Sequence, residues 1–81
     1  MNQPKIILYT RPGCPDSAKS VAHMKELGLT WEEFNIDADK DAEAQVVGWT
    51  GRAVTPTIWI GDVMLTEPED AEIDAALAKV S

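Results

Sequence analysis

Cys14 is the only cysteine in 81 residues and sits in Arg11-Pro12-Gly13-Cys14-Pro15-Asp16-Ser17, directly after the strand-like run Ile6-Ile7-Leu8-Tyr9-Thr10. A turn from a buried strand into a helix places a sulfur beside unpaired helix N–H groups, which favour thiolate over thiol. Arg11 adds a permanent cation three residues before the cysteine. Asp16, in the first turn of the expected helix, opposes it by repelling a neighbouring thiolate. The balance predicts a moderate lowering of the thiol pKa. Three residues after Cys14, where a C-x-x-C motif carries its second cysteine, stands Ser17, so no internal disulfide can form. The chemistry on offer is that of one nucleophilic thiol. The competing reading is a small inert hydrophobe, the usual fate of a free cysteine; a strand-to-helix turn flanked by Gly13 and Pro15 favours the nucleophile.

A second element is Thr55-Pro56-Thr57. A proline at the start of a strand is uninformative alone. If the Thr55–Pro56 bond is cis, the turn exposes the Thr55 N–H and C=O, and an extended thiol-bearing substrate could pair with them as a strand does.

The elements that must position these residues follow from periodicity and turn chemistry. Ile6 to Thr10 reads as a buried strand ended by Arg11-Pro12-Gly13. Pro15 suits a first helical turn, and Ala18, Val21, Ala22, Met24 and Leu27 form an apolar stripe closed by Gly28, predicting a helix over Pro15 to Leu27. Residues 31–37 read as a strand, with Phe34 and Ile36 at period two. Asp39 can cap a second helix through 41–47, which Thr50-Gly51-Arg52 breaks. Thr57 to Ile60 and Val63 to Leu65 form a hairpin through Gly61-Asp62. Thr66 and Glu69 have capping-box spacing before a last helix bearing Ile73, Ala76, Leu77 and Val80. The order β-α-β-α-β-β-α implies a parallel first pair with a right-handed crossover and an antiparallel hairpin. The expected fold class is α/β, a four-stranded mixed sheet flanked by helices.

Composition sets the outer limits. The length allows one domain over residues 1–81 with a small core. Fourteen acidic residues against seven basic give a net charge of −7, which argues against nucleic acid and anionic membranes as partners. No apolar run approaches the roughly 20 residues of a membrane span, and the N-terminus lacks a signal-like pattern. The expected compartment is the cytoplasm, where a lone cysteine stays reduced.

Other chemistry-bearing residues receive plainer readings. His23, nine residues past Cys14, lies about 13 Å along the helix and reads as a surface residue rather than a catalytic base or metal ligand. Trp31, Trp49 and Trp59 read as core packing or edge cover, with Trp49 or Trp59 as the alternative rim of a substrate groove. Asp37, Asp39 and Asp41 lack the glycine and glutamate of a calcium loop and read as a capping turn. No metal site is expected.

A strand, a G-C-P turn opening a helix, and an x-Pro before a hairpin about forty residues later together resemble the glutaredoxins of the thioredoxin-fold superfamily. Ile7 to Pro15 is similar to the family's Y-T-K-P-x-C-P segment, and Thr50-Gly51-Arg52 with Val54-Thr55-Pro56-Thr57 to its T-G-R-x-T-V-P-T segment. The resemblance implies that Cys14 is the attacking thiol, that Arg11 takes the basic role beside it, and that Pro56 is the cis-proline. Thr55 would offer its backbone to the bound thiol. Pro15, Asp16, Ser17, Thr66 and Glu67 complete the implied thiol-binding surface.

Departures from the family pattern refine this expectation. Ser17 makes the chain a monothiol form, and Asp16 replaces a usual aromatic. Leu65-Thr66-Glu67-Pro68-Glu69-Asp70 stands where many relatives have I-G-G-x-D-D, whose N–H groups hold the γ-glutamyl carboxylate of glutathione. Pro68 has no N–H, and Glu67 and Glu69 repel a carboxylate, which disfavours glutathione. The L-T-x-P ending is more similar to that of mycoredoxins. The function implied is a monomeric thiol–disulfide oxidoreductase acting on mixed disulfides between proteins and a small thiol such as mycothiol or bacillithiol. Its co-substrate is that thiol, and no tightly bound cofactor is expected. The rivals are a [2Fe–2S] carrier, disfavoured by C-P-D-S in place of C-G-F-S, and a redox-inert binding module.

Overall fold

The computed structural model describes residues 3–80. Its elements are β1 (Ile6–Thr10), α1 (Pro15–Glu26), β2 (Glu32–Asn35), α2 (Lys40–Thr50), β3 (Thr57–Ile60), β4 (Val63–Thr66) and α3 (Asp70–Val80), in the expected order. The sheet runs β2-β1-β3-β4, with β1 parallel to β2 and antiparallel to β3, and β3 antiparallel to β4. β2 and β4 are therefore its edges.

Register and the two-residue period of a strand sort the core into two layers. Ile6 lies opposite Ile60 and Leu8 opposite Ile58. These four face α1 and α3, where Met24, Ile73 and Ala76 complete a buried cluster. Tyr9 turns to the other face and packs with Ile36 and with Ala42 and Val46 of α2. Tyr9 also stacks on Phe34 at 5.3 Å and meets Trp49 edge-on at 5.4 Å, while Trp49 meets Trp59 at 5.3 Å.

Helix α1 buries a different stripe from the one its alanines suggest. Ser17, Ser20 and Met24 are buried and Val21 is half-buried, whereas Ala18, Ala22 and Leu27 are exposed. At 100° per residue, positions 17, 20 and 24 share one face. Ser17 and Ser20 are small enough to be enclosed on that face although they are not apolar.

The other boundaries also shift for local reasons. β2 stops at Asn35 because the Asn35 side chain accepts the Asp37 N–H at 2.9 Å and its carbonyl accepts from Ala38 and Asp39, making a turn. Asp39 caps α2 as expected, its Oδ1 accepting from the Ala42 N–H at 3.1 Å. α2 continues past residue 47 to Thr50 and ends at Gly51, whose φ of 90° permits the left-handed turn. The Thr66–Glu69 capping box is displaced by one turn. Glu67 adopts φ 47° and Pro68 is buried, so the chain reaches helical geometry only at Asp70, and the Glu72 side chain accepts the Glu69 N–H at 3.0 Å. No helix among the described residues is long and apolar enough to cross a membrane.

Candidate active site

β1 delivers the chain to a turn at its own carboxyl end, beside the start of β3, where Gly13 takes φ 76°, a conformation that side-chain-bearing residues rarely hold. Cys14 then occupies the N-cap of α1 in an extended conformation, and its carbonyl accepts the Ala18 N–H at 3.1 Å. Its half-buried side chain makes no cap hydrogen bond, leaving the sulfur for other partners.

Those partners come from two directions. Thr55, forty-one residues away, donates its hydroxyl to the sulfur at 3.4 Å, and the thiol faces the Thr55 carbonyl at 3.7 Å. Ser17, one turn along α1, is 4% exposed, and its Oγ makes no hydrogen bond of good geometry yet lies near enough to the sulfur to favour the thiolate. Burial pushes the Cys14 thiol pKa up. The Ser17 and Thr55 hydroxyls and the backbone N–H groups of Ser17 and Asp16 outweigh it and hold the thiol below its ordinary value. The lowering predicted from sequence is present, and the helix N–H groups expected to favour it contribute, but two hydroxyls take the place assigned to the Arg11 charge. Arg11 turns aside, its Nε 3.3 Å from Asp37 Oδ1, and does not figure in the shift. Asp16 acts through its N–H, while its exposed carboxylate leaves no mark on the thiol.

The Thr55 loop is itself held from both sides. The Thr57 hydroxyl donates to the Val54 carbonyl at 2.9 Å, and the Thr55–Pro56 peptide is cis. The Pro56 carbonyl accepts the Glu67 N–H at 2.8 Å, which brings the Thr66-Glu67-Pro68-Glu69 turn beside the loop. Here three successive positions offer nothing to an incoming carboxylate. Glu67 spends its N–H on Pro56, Pro68 has none, and Glu69 gives its own to Glu72. Thr66 and Glu67 are exposed at this margin.

A cleft of about 730 Å³ opens on the opposite side of Cys14, between α1 and β2. Arg11 and Pro15 line its mouth; Lys25, Trp31 and Glu33 line its far end. The aromatic at the groove is thus Trp31, whereas Trp49 and Trp59 belong to the cluster against Tyr9. Trp31, just before edge strand β2, and Glu33 and Asn35 on it lie at period two, the pattern in the sequence that could have disclosed this wall. His23 is 14% exposed and joins α1 to α3, with Nε2 2.8 Å from Asp74 Oδ1 and Nδ1 3.6 Å from Asp70 Oδ2.

Comparison with known proteins places this arrangement. The glutaredoxin family model matches residues 6–65. A probable glutaredoxin of Synechocystis sp. is 36% identical over 59 residues, covering 72% of this chain and 67% of the relative. The hybrid peroxiredoxin hyPrx5 of Haemophilus influenzae is 31% identical over 70 residues, 86% of this chain, which spans 29% of that relative's length. The solution structure of a glutaredoxin from Brucella melitensis is 27% identical with a TM-score of 0.76, covering 100% of this chain and 96% of that one. The α/β architecture is thioredoxin-like. Since the matched residues run from the first strand into the last hairpin and include both loops that meet at the sulfur, the chain belongs to the glutaredoxin family.

Proposed function

We propose that the chain is a thiol–disulfide oxidoreductase that works by a monothiol route on mixed disulfides between proteins and a low-molecular-weight thiol. The observation that carries this reading is a lone sulfur at a helix N-cap with the Thr55 hydroxyl on it and the buried, unpartnered Ser17 hydroxyl beside it. Both hydroxyls favour the thiolate, which is the attacking species.

In the first step the Cys14 thiolate attacks the small-thiol sulfur of protein–S–S–R. The S–S bond breaks, its electron pair leaves with the protein thiolate, and a Cys14–S–S–R bond forms. A second RS⁻ then attacks the R-bearing sulfur, releasing RSSR and restoring the Cys14 thiolate. Ser17 cannot resolve the intermediate, so the second thiol is obligatory.

Arg11, Pro15, Asp16, Ser17, Thr55, Pro56, Thr66 and Glu67 form the thiol-binding surface in this reading. Mycothiol or bacillithiol suits it better than glutathione. The absence of an unengaged N–H across 67–69, together with the Glu67 and Glu69 carboxylates, supports that choice. The protein works in the cytoplasm as a monomer, with thiolated proteins as clients.

The test is direct. Reduced protein is incubated with the disulfides of glutathione, mycothiol and bacillithiol, and intact mass reads which one loads Cys14. Loading by the sugar-linked thiols and none in Cys14→Ser is expected; fast loading by glutathione overturns the choice of thiol, and no loading by any overturns the activity.

A further inference from the structure

The cleft between α1 and β2 runs from its Arg11 and Pro15 mouth away from the Thr55 and Glu67 margin, so a small thiol on Cys14 leaves most of its length unused. Its shape is that of a trough. α1 runs from Cys14 to Lys25, and eleven residues at 1.5 Å each separate the two ends by about 16 Å. β2 forms the other wall and is a sheet edge. Asn35 and Thr10 stand at the Cys14 end, and Trp31 stands at the Lys25 end. A compact thiol bound to Cys14 would fill only the mouth. An extended polypeptide rising about 3.3 Å per residue spans the length in about five residues.

The lining also states what such a segment should carry. Ala18 and Val21 make the helix wall apolar along its middle. Glu33 is engaged by the Trp31 indole, whose Nε1 donates to Oε1 at 3.1 Å. Arg11 is engaged by Asp37. Lys25 has no carboxylate partner within ion-pair distance among the described residues and is the cation at the far end, which it shares with the Glu33 carboxylate.

We infer that this trough receives the client polypeptide itself, as an extended segment whose cysteine lies at Cys14, whose next residues are apolar, and whose fifth residue is acidic and meets Lys25. The inference rests on the proposed oxidoreductase reading. It deepens that reading by assigning the protein half of the mixed disulfide a binding site separate from the small-thiol half.

The probes are matched peptides with one cysteine disulfide-linked to 2-mercaptoethanol, apolar residues after it, and Glu or Lys five positions away, made in both chain directions. For one direction, the wild type should reduce the Glu peptide roughly threefold faster than the Lys peptide, and Lys25→Glu should invert that ratio. Binding is read separately by titrating Ser-for-Cys versions and following the indole N–H resonances. Trp31 should shift while Trp49 and Trp59, on the other face, stay still. Peptides reduced without preference in either direction, together with an unmoved Trp31 resonance, would refute the trough. Failure to reduce any peptide, with no adduct on Cys14, would instead refute the oxidoreductase reading.

Discussion

The Thr55 hydroxyl lies 3.4 Å from the Cys14 sulfur, joining two loops forty-one residues apart in the chain. This contact makes the thiol a property of the fold. A donor that is present only when β3 is docked beside β1 stabilises negative charge on sulfur. Thr55→Val keeps the volume and removes the donor. It should raise the thiol pKa and slow alkylation by iodoacetamide near neutral pH by roughly tenfold. The wild-type pH–rate midpoint should lie below that of a free cysteine thiol measured alongside.

Ser17 separates reactivity from stability. Its Oγ is buried without a well-formed hydrogen bond, so the hydroxyl carries a desolvation cost in the folded protein. Ser17→Ala should leave the melting temperature unchanged or slightly raised while slowing Cys14 alkylation several-fold. Thermal unfolding and alkylation measured on the same sample decide this. A fall in both would mean that Ser17 acts by packing.

His23 gives the fold a pH dependence of defined sign. Its hydrogen bond to Asp74 is the largest cause of a raised pKa; burial works against it, and the Asp70 charge supports it. A group whose pKa is raised on folding contributes stability fully below its unfolded value, about 6.5, and loses it as pH rises through the folded value. Wild type should therefore exceed His23→Asn in stability at pH 5.5, by up to about 1 kcal/mol, and match it more closely at pH 9. Denaturant unfolding at the two pH values checks the sign.

The central layer sets the stability of the whole. Ile58 is fully buried opposite Leu8, between the sheet and the α1 and α3 helices. Ile58→Ala should cost about 2–5 kcal/mol in denaturant unfolding. Asp39→Ala removes a single helix cap and should cost about 1 kcal/mol without altering Cys14 alkylation.

Most of the element order is legible in the sequence because its signals are local. A five-residue β-branched and aromatic run, Pro15 at a helix start, Asp39 at a cap and Gly61-Asp62 in a hairpin each act within a few residues. The α1 stripe misleads because alanine is apolar yet small enough to be left outside, while a serine is small enough to be buried on the inner face. The capping pair misled because spacing cannot show that Glu67 turns to positive φ and delays the helix.

The sequence by itself determined that one sulfur stands at a strand-to-helix turn with a hydroxyl where a second thiol would be, since covalent order and turn chemistry suffice for both. Only the tertiary structure decided what surrounds that sulfur. Thr55 reaches it because β3 pairs with β1, Arg11 leaves it for Asp37, and Trp31 rather than Trp49 borders its cleft. A charge or donor acts over a few ångströms, and the distance between side chains far apart in sequence is set by strand pairing and helix docking rather than by spacing along the chain.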